Sequence, residues 1–158
     1  MLNEDYKEML QILLEEKVKF IVVGAYALSA HGYPRATGDI DIWIEPTSDN
    51  SKKLMRSLTR FGAPLFDVNE EDFTKEGIIF QIGVAPRRID IITAIDGVEF
   101  LSAYAHKLGI FVEEMSIPVL SLEDLIKNKE STGREKDSVD AKMLKKRLIR
   151  NNANTTES

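Results

Sequence analysis

Residues 38–44 read GDIDIWI, so isoleucines at 40, 42 and 44 alternate with Asp39, Asp41 and Trp43. In an extended strand, side chains two apart point the same way, and neighbours point to opposite faces. One face of this segment is therefore wholly apolar and needs a layer packed on it. The other face carries two carboxylates side by side. A second run, RRIDIIT, sets Asp90 between Ile89 and Ile91 in the same manner. Strands of this kind fix their own register, because a slip of one residue would turn every isoleucine to the wrong side.

The segments around these strands alternate in period. Tyr6, Met9, Leu10, Leu13 and Leu14 recur at helical spacing within residues 3–17. VKFIVVG then predicts a buried strand ending at Gly24, followed at once by a short helix, AYALSAHG, closed by Gly32. Pro46, Thr47 and Ser48 end the DIDIWI strand and open a helix running to about Phe61. GIIFQIG and RRIDIIT predict a neighbouring pair of strands, and residues 97–108 a helix. IFVEEMSIPVL predicts one further strand, and SLED at Ser121–Asp124 resembles a capping box. Val139, Met143, Leu144 and Leu148 predict a last helix from Arg134 to about Arg150, and NNANTTES, without apolar residues, predicts a disordered tail over 151–158. The fold class that results is α/β (α+β). A mixed β-sheet carries flanking helices and a helical C-terminus, in a single domain over residues 1–150.

Composition narrows the function. With 43% hydrophobic residues in 158, the chain can bury a core of its own. A net charge of -5 argues against general coating of nucleic acid, which rests on many Lys and Arg contacts to phosphate. No cysteine is present, so any metal site must use oxygen or histidine ligands. The start MLNEDYKEMLQ has no basic leader, and no apolar run approaches the roughly 18 residues of a membrane span, which sets the expectation of a cytoplasmic protein without membrane association.

Two carboxylates about 4 Å apart repel by about 1 kcal/mol in water and about 4 kcal/mol at a protein surface, unless a cation lies between them. Magnesium is a natural cation for such a pair, since it takes oxygen ligands and leaves room for water and substrate phosphates. Asp90 is a third acid that a mixed sheet could bring alongside. Gly24 stands at a strand-to-helix junction, where backbone amides can approach a phosphate, and a tight turn is its commoner use. Arg35 and Thr37 precede the acid pair and are candidates for triphosphate contact, and so is Lys129, with Arg134 and Lys136, in the basic stretch near the C-terminus. Tyr33 and Trp43 could stack on a base, though packing under a helix is the usual role of such residues. His31 and His106 have no metal-ligand spacing and read as helix-surface or capping residues.

Taken together, FIVVGA, the thirteen residues Tyr26 to Gly38, DIDI and the later RIDII resemble the nucleotidyltransferase superfamily with the polymerase-beta-type palm. The later stretch VLSLEDLIKNKESTGREKDSVDAKML and the run HGYPRATGDID are similar to its small branch related to abortive-infection and toxin–antitoxin nucleotidyltransferases. The resemblance implies a palm-like sheet on which Asp39, Asp41 and Asp90 are catalytic and bind two magnesium ions. It implies that Gly24, Ala25, Arg35, Thr37 and Lys129 contact the nucleotide. The implied reaction moves a nucleoside monophosphate from a nucleoside triphosphate to an acceptor hydroxyl and releases pyrophosphate, in a toxin of a toxin–antitoxin or phage-defence pair with an antitoxin partner. The acceptor, whether RNA, protein or small molecule, stays open. Ala25 departs from the pattern, because it stands where the family has serine or a second glycine. That leaves two alternatives: a catalytically weak nucleotide- or partner-binding protein of the same fold, and a small-molecule (antibiotic) nucleotidyltransferase.

Overall fold

The computed structural model describes residues 2–33 and 38–157. Six strands among them form one sheet in the order β3-β4-β2-β1-β6-β5. Here β1 is Phe20–Val23, β2 Ile40–Ile44, β3 Ile79–Ile82, β4 Ile89–Ile92, β5 Leu108–Val112 and β6 Met115–Val119. Strand β1 runs antiparallel to β2 and parallel to β6, and β2 runs parallel to β4. The two edge strands, β3 and β5, pair antiparallel with their inner neighbours. The mixed sheet expected from the alternation of periods is therefore present.

Helices cover both sides. Helix α1, Glu4–Glu15, starts where the Asn3 side chain accepts the Asp5 amide and lays Leu10 beside Ile40. Helix α2, Gly24–Ala30, follows β1 without a linker, and α3, Ser48–Phe61, begins at the Thr47 cap. The remaining helices are α4 (Phe100–His106), α5 (Leu122–Ser131) and α6 (Glu135–Glu157). Ile40, Ile42 and Ile44 are all buried, and so is Trp43 on the reverse face, where its ring meets Phe100 of α4 edge-on at 5.1 Å. Trp43 is thus a core residue under a helix and not a platform for a base. His31 caps the C-terminus of α2 and is buried, with its Nε2 atom 2.7 Å from the Leu120 carbonyl.

Three details differ from the sequence reading. IFVEEMSIPVL holds a tight hairpin between β5 and β6 in place of one strand, because Glu113 and Glu114 adopt φ of 47° and 68°. Two consecutive positive φ values are what a type I′ turn requires, and Glu-Glu carries none of the usual Asn-Gly or Asp-Gly signal. The last helix continues past Arg150 to Glu157. Nothing in that stretch breaks a helix, and propagation from an established helix needs far less than nucleation. Val139 is exposed, and the buried positions of α6 are Asp137, Asp140, Ala141 and Leu144.

Two of those buried positions are acidic, and they hold the α5–α6 corner together. Asp137 accepts hydrogen bonds from Thr132 Oγ1 at 2.7 Å, Arg134 Nε at 2.7 Å and Lys129 Nζ at 3.2 Å. Asp140 lies 3.4 Å from the same ammonium. Burial opposes ionisation of Asp137, but these donors outweigh it and hold its carboxyl below the usual value. An acid held low in the folded state adds stability that is present above its unfolded pKa and lost as pH falls through the folded one. Asp137→Ala should therefore lower the unfolding free energy by about 2 kcal/mol at neutral pH, since it removes three hydrogen bonds and leaves Lys129 with Asp140 alone, and urea denaturation will measure it. The gap should narrow in acid.

Candidate active site

The parallel pairing of β2 and β4 sets Asp41 directly opposite Asp90, with Ile40 opposite Ile89. Asp39, two residues before Asp41 along the chain, adds a third carboxylate beside them. Asp90 is buried, while Asp39 and Asp41 are half-buried at the edge of the cleft. Burial is the largest influence on Asp41, followed by the charge of Asp90, a hydrogen bond to Asp90, and Asp39. Together they push the Asp41 carboxyl up to about 6, while Arg88 pulls it down.

Arg88, which the sequence reading passed over, is the cation that answers these acids. Its Nε and Nη2 grip Asp90 at 2.7 and 3.1 Å. Nη2 also lies 3.1 Å from Asp39 Oδ2, and the Arg88 amide donates to Asp39 Oδ1 at 3.0 Å. The signal was present in the sequence: Arg88 stands two residues before Asp90, and therefore on its face of the strand.

Behind the carboxylates, the Tyr6 hydroxyl of α1 donates to the carbonyls of Gly38 and Arg88, at 2.5 and 3.4 Å. These are the residues that lead into the two acid-bearing strands. A Cβ at Gly38 would run into the Pro86 carbonyl, so the chain can pass between Tyr6 and Pro86 only as glycine. Tyr6 is itself held neutral: burial, then Tyr26 and Asp39, push its pKa to about 12. Its donor is therefore in place at any ordinary pH. Nothing in the sequence distinguishes Tyr6 from the other apolar-face residues of α1.

Gly24 has φ +68°, and a Cβ there would strike the Asp41 carboxylate. The sequence reading treated Gly24 as a turn or as an approach for phosphate. The structure gives it a steric reason: β1 ends against Asp41, and only glycine leaves that carboxylate its place. Gly24, Ala25, Leu28 and Asp41 line one side of a cleft of about 310 Å³, and Lys129, Arg134, Lys136 and Asp137 line the other. Helices α5 and α6 thus bring basic side chains across from the acids. They are not equivalent. Lys129 is committed to Asp137 and Asp140, and Arg134 to Asp137, whereas Lys136 is exposed and has no carboxylate partner among the described residues.

Of the other candidates, Arg35 and Thr37 lie outside the described residues. Tyr33 is turned to α6, donating to the Met143 carbonyl at 3.3 Å with the Arg147 guanidinium over its ring. Asp39, Asp41 and Asp90 form the all-oxygen donor set that suits magnesium, and the crowding that raises Asp41 is what a cation relieves. Among the described residues, however, no three acidic or histidine side chains are disposed as a ready metal cage, and Arg88 stands between Asp39 and Asp90.

The arrangement can be compared with solved structures. A provisionally assigned nucleotidyltransferase (TM1012) from Thermotoga maritima matches with a TM-score of 0.63 and 20% sequence identity, over 95% of this chain and 96% of that one. The chain has a nucleotidyltransferase-like fold. The antibiotic-resistance factor ANT(2'')-Ia matches with a TM-score of 0.57 and 15% identity, over 89% of this chain and 80% of that one. No protein-family profile and no curated protein sequence matches the chain.

Two outcomes follow from this geometry. In chelator, wild type should lose stability as pH rises from about 4, where unfolded Asp41 releases its proton, through about 6, where the folded form does. Asp41→Asn should flatten that slope and melt at least as high as wild type at neutral pH. Tyr6→Phe removes one hydroxyl from two carbonyls, at a cost of about 1 kcal/mol, and should speed hydrogen exchange of the Ile40 amide, which donates to the Arg88 carbonyl at 3.0 Å.

Proposed function

We propose that this protein transfers a nucleoside monophosphate from a nucleoside triphosphate to an acceptor hydroxyl and releases pyrophosphate. The observation that carries the reading is the in-register pairing of Asp41 with Asp90 beside Asp39, with Asp41 lining a cleft whose far wall is basic. In this reading Asp39, Asp41 and Asp90 would hold the magnesium. Bound magnesium would offset the charge that builds on the phosphorus oxygens and on the leaving pyrophosphate.

The steps left to the chain's own residues are positioning and proton transfer. Gly24 and Ala25 border the place where the triphosphate would enter, with Lys136 and Arg134 opposite. Lys136 is the better phosphate contact, because its charge is not already spent on a carboxylate, and Lys129 serves instead to hold the corner that presents it. As the acceptor oxygen bonds to the α-phosphorus and the bond to pyrophosphate breaks, the acceptor proton would pass to a carboxylate, and in this reading Asp90 takes it.

The acceptor is the finer question. The likeness of residues 119–144 to the abortive-infection branch favours a macromolecular acceptor and an antitoxin partner. The structural match to an antibiotic-resistance factor favours a small molecule. Ala25, which lacks the hydroxyl found at that place in the family, favours a third reading, a nucleotide-binding protein with weak catalysis.

Calorimetry with non-hydrolysable analogues of the four ribonucleoside triphosphates tests the reading. Binding should require magnesium and be lost in an Asp39→Asn, Asp41→Asn double variant that keeps its far-ultraviolet circular dichroism. Absence of binding under every condition, or equal binding by the double variant, would overturn it.

A further inference from the structure

We propose that Arg88 is a built-in counter-ion that a divalent metal must displace, so that metal entry into the carboxylate cluster is coupled to a swing of the Arg88 side chain. The inference rests on the reading of Asp39, Asp41 and Asp90 as the metal-binding acids, and extends it to how the site is held before the metal arrives.

One residue engages all four oxygens of two of the three acids. Asp90 Oδ1 and Oδ2 receive Arg88 Nε at 2.7 Å and Nη2 at 3.1 Å. Asp39 Oδ1 receives the Arg88 amide at 3.0 Å, and Asp39 Oδ2 lies 3.1 Å from Nη2. The planar guanidinium therefore bridges Asp39 and Asp90, in the space where a cation shared by these carboxylates would have to sit. A guanidinium stays charged at any pH a protein experiences, so protonation does not clear the way. Magnesium needs oxygen at about 2.1 Å in near-octahedral directions, and it cannot take those directions while a positive fork holds the same oxygens.

The same contacts allow Arg88 to leave. Its side chain is 27% exposed, against 10% for Asp90, so the guanidinium has an open side. Among the described residues its side chain makes no hydrogen bond outside Asp39 and Asp90. The bond from the Arg88 amide to the Asp39 carboxylate and the tie from Tyr6 to the Arg88 carbonyl do not depend on the Arg88 side chain, so the strands keep their places when it swings.

The arrangement has a consequence opposite to that of a supporting residue. A residue that merely orients metal ligands weakens metal binding when it is removed. A competitor strengthens it, because the apparent affinity is reduced by the fraction of molecules in which the site is already filled. In the absence of metal, loss of Arg88 leaves three carboxylates without their cation, and the fold should suffer for it.

The test is titration of Mn²⁺, followed by electron paramagnetic resonance, into wild type, Arg88→Gln and Arg88→Lys, with melting temperatures in chelator and in magnesium. Arg88→Gln should bind Mn²⁺ on the order of tenfold tighter than wild type, melt lower in chelator, and gain more from added magnesium. Arg88→Lys keeps the charge but cannot span both carboxylates with a fork, and should fall between the two. It also serves should Arg88→Gln fail to fold without metal. If wild type binds Mn²⁺ and nucleotide but neither variant binds Mn²⁺ more tightly, the displacement is wrong and the proposed function stands. If wild type binds Mn²⁺, the variants bind it more tightly and none of the three binds nucleotide, the displacement stands and the proposed function falls. Absence of Mn²⁺ binding in all three proteins overturns both.

Discussion

The parallel pairing of β2 with β4 places Asp41 against Asp90, and most of what surrounds the cleft is a response to the repulsion this creates. Like charges on adjacent strands destabilise a sheet unless a counter-charge or a proton intervenes. Here Arg88 bridges Asp90 to Asp39, and burial together with the charge of Asp90 pushes the Asp41 carboxyl up to about 6. The glycines at the borders follow from the same crowding. Gly24 leaves room for the Asp41 side chain, and Gly38 lets the approach to β2 fit between Tyr6 and Pro86.

The basic wall follows a different logic. Lys129 would be a costly isolated charge at the foot of α5, where its side chain is 13% exposed, and Asp137 and Asp140 neutralise it. That network makes a rigid corner between α5 and α6, and the corner in turn holds Lys136 over the cleft with its charge still available to a ligand. Neighbouring residues of the same type thus differ, one neutralised within the corner and one exposed at the cleft. Sequence spacing alone puts Lys129, Arg134 and Lys136 in one class, and burial separates them.

How much was legible depended on how local each cause is. The elements around DIDIWI and FIVVGA could be read because alternation and glycine placement are properties of a few consecutive residues. The β5–β6 hairpin was missed because its turn forces Glu113 and Glu114 into positive φ without the residues that normally advertise it. The spacing of Val139, Met143, Leu144 and Leu148 predicted the last helix, but not that α6 turns Val139 outward. Arg88 was legible in principle, by applying to RRID the alternation rule already applied to DIDI. Tyr6 was not, since its role lies in where a hydroxyl from α1 meets two distant carbonyls.

By itself the sequence determined that Asp39 and Asp41 share one face of a strand whose other face is core, that Asp90 sits in a strand of similar kind, and that a glycine ends the strand before them. These are consequences of a two-residue period and of one residue's lack of a Cβ. Only the tertiary structure decided that β4 lies beside β2 and not elsewhere in the sheet, because strand order depends on how whole elements bury their faces against each other. It also decided that Arg88 fills the gap between the acids and that Lys129 is taken up by Asp137 and Asp140. Charges far apart in the chain find partners through distance and burial in the folded molecule, and neither quantity is written in any short stretch of residues.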